Sequence, residues 1–217
     1  MHESDQDESH THSVLEVSLG IDLDGVDLGG AHVLDLSSDD ILQRCKGLVD
    51  SQPPTPVVNA LVGGLRESYQ RRPVHEMLVD LTEQVAERWR AGARDWDTHE
   101  ALRHLAQAFK FGVRPDDLDL VIKMCTDPVF TYEGDIEDLR GYWFESLGKI
   151  RDDRAGKICR DIIDADQGHW EDLRLASAIQ ALRRVWDDTD HARVSRIAEQ
   201  HPDSFVRKVA KRSLAQH

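Results

Sequence analysis

The sequence predicts an all-α fold, an α-solenoid of about five antiparallel helix pairs that follows a short irregular or β N-terminal segment. Three observations lead to this prediction. From Ser37 onward, helix-capping residues precede one apolar-periodic stretch after another. Gly92, Gly112 and Gly148 each follow such a stretch, as helix-ending glycines do. An aliphatic–arginine dipeptide recurs at spacings of 37, 34 and 33 residues, a period typical of stacked helix pairs.

The first 36 residues are predicted to precede the helical domain, which spans 37–217. Residues 1–12 are almost all polar or acidic, so they cannot bury a core, and we expect a disordered acidic tail. Residues 13–36 contain IDLDG, VDLGG and AHVLD, with Leu23, Leu28 and Val33 five apart. This spacing resembles two to three units of a pentapeptide repeat. So few turns bury too little apolar surface to stand alone, and an acidic hairpin or loop covering the first helix pair is the favoured alternative.

Helix signals after Ser37 predict ten helices. Ser37 with Asp40 approximates a capping box at the first of them. Asp97 has Glu100 three positions later, and Asp203 precedes the last amphipathic stretch. The predicted ranges are 39–50, 56–70, 74–91, 98–111, 116–126, 135–147, 153–165, 170–186, 190–200 and 204–216.

The helices are predicted to form repeating pairs. The recurring dipeptide lies near the start of every second helix, as Leu102-Arg103, Leu139-Arg140, Leu173-Arg174 and Val206-Arg207. In the first helices of the pairs, Cys125 and Cys159 are 34 residues apart. Here the sequence resembles the HEAT repeat family, whose units have two antiparallel helices and an arginine early in the second. The resemblance is best over residues 98–217 and strongest in SFVRKVAKRSLAQ at 204–216.

The charge of the chain bears on its partners. The formal net charge is −14, which disfavours nucleic acid and anionic membranes unless a local patch overrides it. The two ends differ in sign, with a net charge of −10 over residues 1–50 and +4 over residues 193–217. No apolar run approaches the ~18 residues of a membrane span, and no secretion signal is visible. Three cysteines without a CxxC pattern favour a reducing, cytoplasmic setting.

Motifs for catalysis or cofactor binding are absent from the sequence. The stretch from Asp22 to Asp27 departs from an EF-hand loop and is interpreted as a solvated acidic turn. HExxH, GxSxG, the P-loop and GxGxxG do not occur, and His99 and His104 are spaced for different helix faces. Cys125 and Cys159 fall on apolar faces and are interpreted as core residues. We therefore predict no catalytic residues, no metal and no cofactor.

The repeated arginines and the aromatic residues are the candidates for binding. The arginines have two interpretations: a row of cations along a groove, or, as the resemblance to HEAT repeats implies, a ladder in which each pairs with an acid or helix end of the next repeat. Tyr142, Trp143 and Phe144 are consecutive, so one helix stripe cannot bury all three. The predicted partner-binding residues are Trp96, Tyr142, Trp143, Trp170, Arg103, Arg140 and Arg174.

Two functions follow as hypotheses. The first is a non-catalytic scaffold, adaptor or inhibitor-type module that docks a protein on its solenoid surface, and its acidity favours a basic partner. The alternative, implied only by the resemblance, is a HEAT-like enzyme of the alkylpurine DNA glycosylase or bilin lyase type. A glycosylase would need Trp143 or Trp170, an acid such as Asp138 or Asp172, and the arginine row in one groove. The acidity of the chain departs from the basic groove of those enzymes.

Overall fold

The computed structural model describes most of the chain after residue 35. The described residues are 36–48, 58–59, 62, 65, 69, 71–130, 139–166 and 173–217. They form nine α-helices and two short 3-10 helices and contain no strand, which confirms the all-α prediction for this part of the chain. The predictions for residues 1–12 and for all but the last residue of 13–36 lie outside the described residues. So does most of the predicted helix 56–70, of which Val58, Asn59 and Val62 are helical.

The helices closely follow the predicted ranges, with two differences. The helix predicted over 170–186 ends at Leu182. Beyond it, the amides of Arg184 and Val185 donate to the carbonyl oxygens of Ala181 and Leu182, three residues earlier in each case. The helix predicted over 135–147 is described only from Arg140. The α-helices are α1 Ser38–Leu48, α2 Arg72–Arg90, α3 Trp96–Gly112, α4 Leu118–Thr126, α5 Arg140–Leu147, α6 Asp153–Asp164, α7 Leu173–Leu182, α8 Asp190–Gln200 and α9 Ser204–Leu214.

The chain divides into two compact units, Met1–Gly112 and Val113–His217, where the sequence suggested one repeat domain from residue 37. In the first unit, α2 packs against α1 and α3. Trp89 and Phe109 are at most 1% exposed between these helices. Burying a phenylalanine side chain contributes roughly 1.5–3 kcal/mol, so the burial of Phe109 stabilises the unit.

In the second unit, helices pack in sequence-adjacent pairs and against the next pair. The pairs are α4 with α5, α6 with α7, and α8 with α9. The second helices also contact one another, α5 with α7 and α7 with α9, while α6 contacts α4 and α8. Cys125 and Cys159, in the first helices of two successive pairs, are both 1% exposed, which confirms that they are core residues.

Short polar side chains start several helices. The Ser37 hydroxyl accepts a hydrogen bond from the Asp40 amide, and the Asp203 carboxylate accepts one from the Phe205 amide at 2.6 Å. These two caps lie where the sequence predicts them. Helix α3 starts earlier than predicted, because Asp95, not Asp97, accepts the hydrogen bond from the Thr98 amide at 2.7 Å. Each cap of this kind stabilises a helix by about 1 kcal/mol.

Two glycines predicted as helix ends have different physical roles. Gly92 has a φ of +104°, and the bonds from Gly92 N–H to Trp89 and from Ala93 N–H to Arg88 close the end of α2 as a Schellman motif. Gly148 has ordinary helical angles. A Cβ there would lie 2.7 Å from Cα of Ala181, so this glycine lets α5 and α7 approach closely.

Among the described helices, none has the length and apolar character needed to cross a membrane.

Candidate functional site

Trp96 is the most exposed large apolar side chain among the described residues. It is 64% exposed at the first position of α3. Its indole stacks on the ring of His99, with centroids 5.6 Å apart and planes 20° from parallel. His99 is 2% exposed and in turn meets the fully buried ring of Trp89 at 6.2 Å. The core therefore supports one face of the Trp96 indole, while most of its surface is open to solvent.

The residues beside Trp96 are charged. Asp95 and Asp97 flank it and are exposed, at the helix end where the macrodipole favours negative charge. The hydrogen bonds from Thr98, with a smaller effect from the charge of Arg88, lower the pKa of Asp95. Asp95 is therefore ionised at neutral pH, and Trp96 is presented next to a fixed negative charge.

An acidic ridge follows the solvent face of α2 in the same unit. The ridge is formed by residues spaced four, three and four apart, all of them exposed: Glu76, Asp80, Glu83 and Glu87. At about 1.5 Å per residue, it is roughly 16 Å long. Ion pairs join its ends to Arg72 and Arg90. Asp80 and Glu83, at its centre, make no ion pair with a described residue.

A second polar group in this unit lies around Glu100 in α3. Arg103 Nε donates to Glu100 at 3.0 Å, and Arg103 Nη2 donates to Nε2 of His104 at 3.1 Å. Because Nε2 accepts, Nδ1 of His104 carries the proton and donates to the Asn59 side chain at 2.7 Å. Asn59 and His104 are 45 positions apart in sequence, so this hydrogen bond joins Asn59 to α3.

The electrostatics of this group do not favour proton transfer at neutral pH. Burial and the charge of Arg103 lower the pKa of His104 to about 4, so the imidazole is neutral and a weak base. Burial raises the pKa of Glu100, but the hydrogen bond and charge of Arg103 outweigh it and lower this pKa overall. The arrangement instead holds an ionised acid and a neutral histidine in a satisfied hydrogen-bond network.

A polar network in the second unit is centred on Asp190, whose side chain is fully buried. Its Oδ1 accepts from Arg160 Nε at 2.9 Å and from Arg193 Nη1 at 2.8 Å. Its Oδ2 accepts from Arg160 Nη2 and from the Asp187 amide, both at 2.9 Å. Four donors thus satisfy one carboxylate and tie α6, the loop before α8 and α8 together.

Sequence reasoning did not find this network, although one signal was present. Gly156 lies inside α6, where a glycine costs helix stability. A Cβ at Gly156 would lie 2.8 Å from Nη1 of Arg160, so the glycine leaves room for this guanidinium. A glycine one turn before an arginine marks such a site, but the acid lies 30 residues away and cannot be identified without the fold.

The structure changes the assignment of the predicted aromatic site residues. Trp143 was predicted to contact a partner, but its side chain is 0% exposed, so this prediction is wrong for the folded protein. The reason is that α5 packs against both α4 and α7, and this covers a wide arc of its surface. Phe144 is also fully buried, and Tyr142 is half-buried. Trp170, together with Asp138 and Asp172, lies outside the described residues.

Two of the repeated arginines, Arg103 and Arg207, make their described contacts within their own repeat and not across to the next one, as an inter-repeat ladder would require. Arg103 pairs with Glu100 of its own helix. Arg207 donates to the carbonyl oxygens of His201 and Pro202, both at 2.6 Å, and so binds the end of the first helix of its own pair, not of the next. Arg140 and Arg174 are half-buried, and Nε of Arg174 is buried without a hydrogen-bond acceptor.

The described residues contain no group of three or more histidine, cysteine or acidic side chains placed to hold a metal ion. No protein-family model matches the sequence, and comparisons with curated proteins and with solved structures gave no match.

Proposed function

We propose that this chain is a non-catalytic, HEAT-like helical-repeat module that binds a basic protein partner through its first unit. The exposed indole of Trp96 is the observation that carries the proposal.

The repeat architecture is supported by the packing of the second unit. Three successive helix pairs lie side by side, and helices in equivalent positions of neighbouring pairs contact each other. In a stack of repeats each unit contacts only its neighbours in this way. The equivalent cysteines, Cys125 and Cys159, occupy equally buried positions, as a shared repeat register requires.

The binding surface is supported by the cost of exposing Trp96. A tryptophan that is 64% exposed leaves most of its apolar area in water and gains little for folding. Its stacking on His99 holds the ring in place, which lowers the conformational entropy lost when a partner covers it. Tryptophans of this kind are enriched among the residues that dominate protein interfaces.

The charge of the partner is inferred from the acidic ridge on α2 and from the net charge of −14. Asp80 and Glu83 are exposed at the centre of the ridge. Such a surface attracts a basic protein, accelerates association and repels acidic competitors. Because the three cysteines form no disulfide, we also propose that the module works in the reducing cytoplasm.

The non-catalytic part rests on how the ionisable groups are arranged. His104 has a pKa near 4, and the carboxylate of Asp190 is saturated by four donors. Neither group is poised to exchange protons or to receive a substrate.

The test uses the full chain as bait in lysate of its native source, with quantitative mass spectrometry of the captured proteins. We expect a partner that wild type captures and that Trp96→Ala and the double variant Asp80→Lys/Glu83→Lys both lose. Phe111→Ala is the matched control, because Phe111 is another exposed aromatic residue of α3. A bait lacking residues 1–12 should keep the partner.

The captured partner is then purified and its affinity measured by calorimetry. Truncation of Trp96 should cost ~2 kcal/mol or more, which is roughly a thirtyfold loss. If no captured protein depends on Trp96, or if deletion of residues 1–12 alone abolishes capture, the proposal is wrong.

A further inference from the structure

The outer face of α9 differs in charge from the rest of the protein. The segment from Ser204 to His217 contains four basic residues and no acid, whereas the whole chain has a net charge of −14. A depression of about 470 Å³ runs along this face and is lined by Ser204, Arg207, Lys208, Lys211, Arg212 and Ala215.

The four basic residues are not equivalent. Arg207 donates hydrogen bonds to the carbonyl oxygens of His201 and Pro202 and so orders the turn before α9. Lys208, Lys211 and Arg212 are exposed, and the structure gives them no acidic partner among the described residues. The inner face of the helix is covered by α7 and α8, which fixes the direction in which these three cations point.

An aromatic side chain stands beside these cations. Phe205 is 48% exposed, although Val206 and Val209 on the same helix are buried. Phe205, Lys208 and Arg212 are spaced three and four residues apart, so they share one stripe of the helix. The Asp203 cap holds the amide of Phe205, so this stripe begins at a fixed point. An apolar anchor bordered by cations is the arrangement that a charged protein interface uses.

We propose that this face of α9, formed by Phe205, Lys208, Lys211 and Arg212, docks an acidic protein segment with an apolar side chain that covers Phe205. Carboxylates of the segment pair with the three cations, and its apolar residue removes the phenylalanine ring from water. This interface belongs to the second unit and the Trp96 surface to the first, and the proposal does not rest on Trp96. The chain would then join a basic and an acidic partner.

Nucleic acid fits the same face less well. Three phosphate contacts predict a salt slope of only about −3, and proteins with strong non-specific binding neutralise roughly 6–10 phosphates. The net charge of −14 adds repulsion along a long polyanion. A short acidic segment meets the local cations without extending over the acidic remainder of the protein.

The test measures fluorescence anisotropy with a short labelled peptide in which glutamates flank a pair of leucines, at about 150 mM salt. We expect the triple variant Lys208→Glu/Lys211→Glu/Arg212→Glu to bind the peptide at least ~10-fold more weakly than wild type. Phe205→Ala should weaken binding roughly threefold or more. The matched control reverses three exposed cations elsewhere in the second unit, as Lys123→Glu/Arg151→Glu/Arg184→Glu, and should keep most of the affinity.

Several outcomes would overturn the proposal. The proposal is wrong if wild type does not bind the peptide, or if the triple variant and the control lose the same amount of affinity. It is also wrong if a polyglutamate peptide without leucines binds as tightly as the labelled peptide. Duplex DNA that binds more tightly than the peptide and is lost in the triple variant would assign the face to nucleic acid instead. Because the assay does not use the partner of Trp96, its failure leaves the proposed function untouched, and Trp96→Ala should bind the peptide normally.

Discussion

Replacing Asp190 with asparagine removes one negative charge from the centre of the polar network that Asp190 forms with Arg160 and Arg193. The shape of the side chain is preserved. The carboxylate accepts three hydrogen bonds from Arg160 and Arg193 and one from the Asp187 amide. Whichever way the amide group of the asparagine is turned, its N–H₂ faces two donors, because both oxygens are surrounded only by donors. The substitution therefore loses two hydrogen bonds and leaves two guanidinium groups without their shared counter-charge.

The magnitude follows from the burial of the partners. Breaking a fully buried pair costs about 3–5 kcal/mol. Here Asp190 is fully buried, but the side chains of Arg160 and Arg193 are 20% and 19% exposed. Arg160 also retains the Val185 carbonyl, and Arg193 retains Asp164. We expect the lower end, about 3 kcal/mol, which lowers the melting temperature of a unit of this size by roughly 12 °C or more.

The assay is urea unfolding followed by circular dichroism, with hydrogen exchange to locate the effect. Protection should fall most in α6 and α8, which the network joins. Asp188→Asn is the control, because it removes the same charge from an exposed neighbouring residue and should change stability by less than ~0.5 kcal/mol. If Asp190→Asn unfolds at the same urea concentration as wild type, the network does not stabilise the unit and the reasoning fails.

Three further predictions concern packing, thiol reactivity and pH. Gly148→Ala should destabilise the second unit by roughly 1–3 kcal/mol in thermal unfolding, because the new Cβ meets the backbone of Ala181. The three buried cysteines should resist alkylation at pH 8 until urea unfolds the protein, since burial raises the pKa of Cys45 and of Cys159 to about 12; fast labelling of the native state would contradict this. The pKa of His104 falls from 6.5 to about 4 on folding, so the first unit should lose stability as the pH drops from 6.5 to 4. In His104→Gln, the urea concentration at the unfolding midpoint should change less with pH over this range.

Local chemistry explains which features the sequence could predict. Helix caps and ends depend on residues a few positions apart, so Ser37, Asp203 and Gly92 are recognisable from the sequence alone. The cap of α3 was misplaced by two residues because both Asp95 and Asp97 are chemically suitable. Only the packing of the helix start, with Trp96 on His99, distinguishes between them.

Long-range contacts explain the errors. Asp190 and Arg160 are 30 residues apart, and nothing in the intervening sequence pairs them. The helix predicted over 170–186 ends at Leu182, and the Val185 carbonyl beyond its end accepts from Arg160 of this network. Trp143 was misassigned because a three-residue aromatic run suggests an exposed ring, whereas contact with two neighbouring helices buries most of the α5 surface. The number of neighbours that a helix has is a property of the fold and not of its own sequence.

The exposed aromatic residues Trp96 and Phe205 each lie beside charged side chains. Trp96 and Phe205 are 64% and 48% exposed, so a large part of each ring stays in water and contributes little to folding. Trp96 shares its unit with the acidic ridge on α2, and Phe205 lies on the same helix as the exposed cations Lys208, Lys211 and Arg212. Our two proposals place a partner of opposite charge over each ring, and truncation of either ring should then lower affinity without lowering stability.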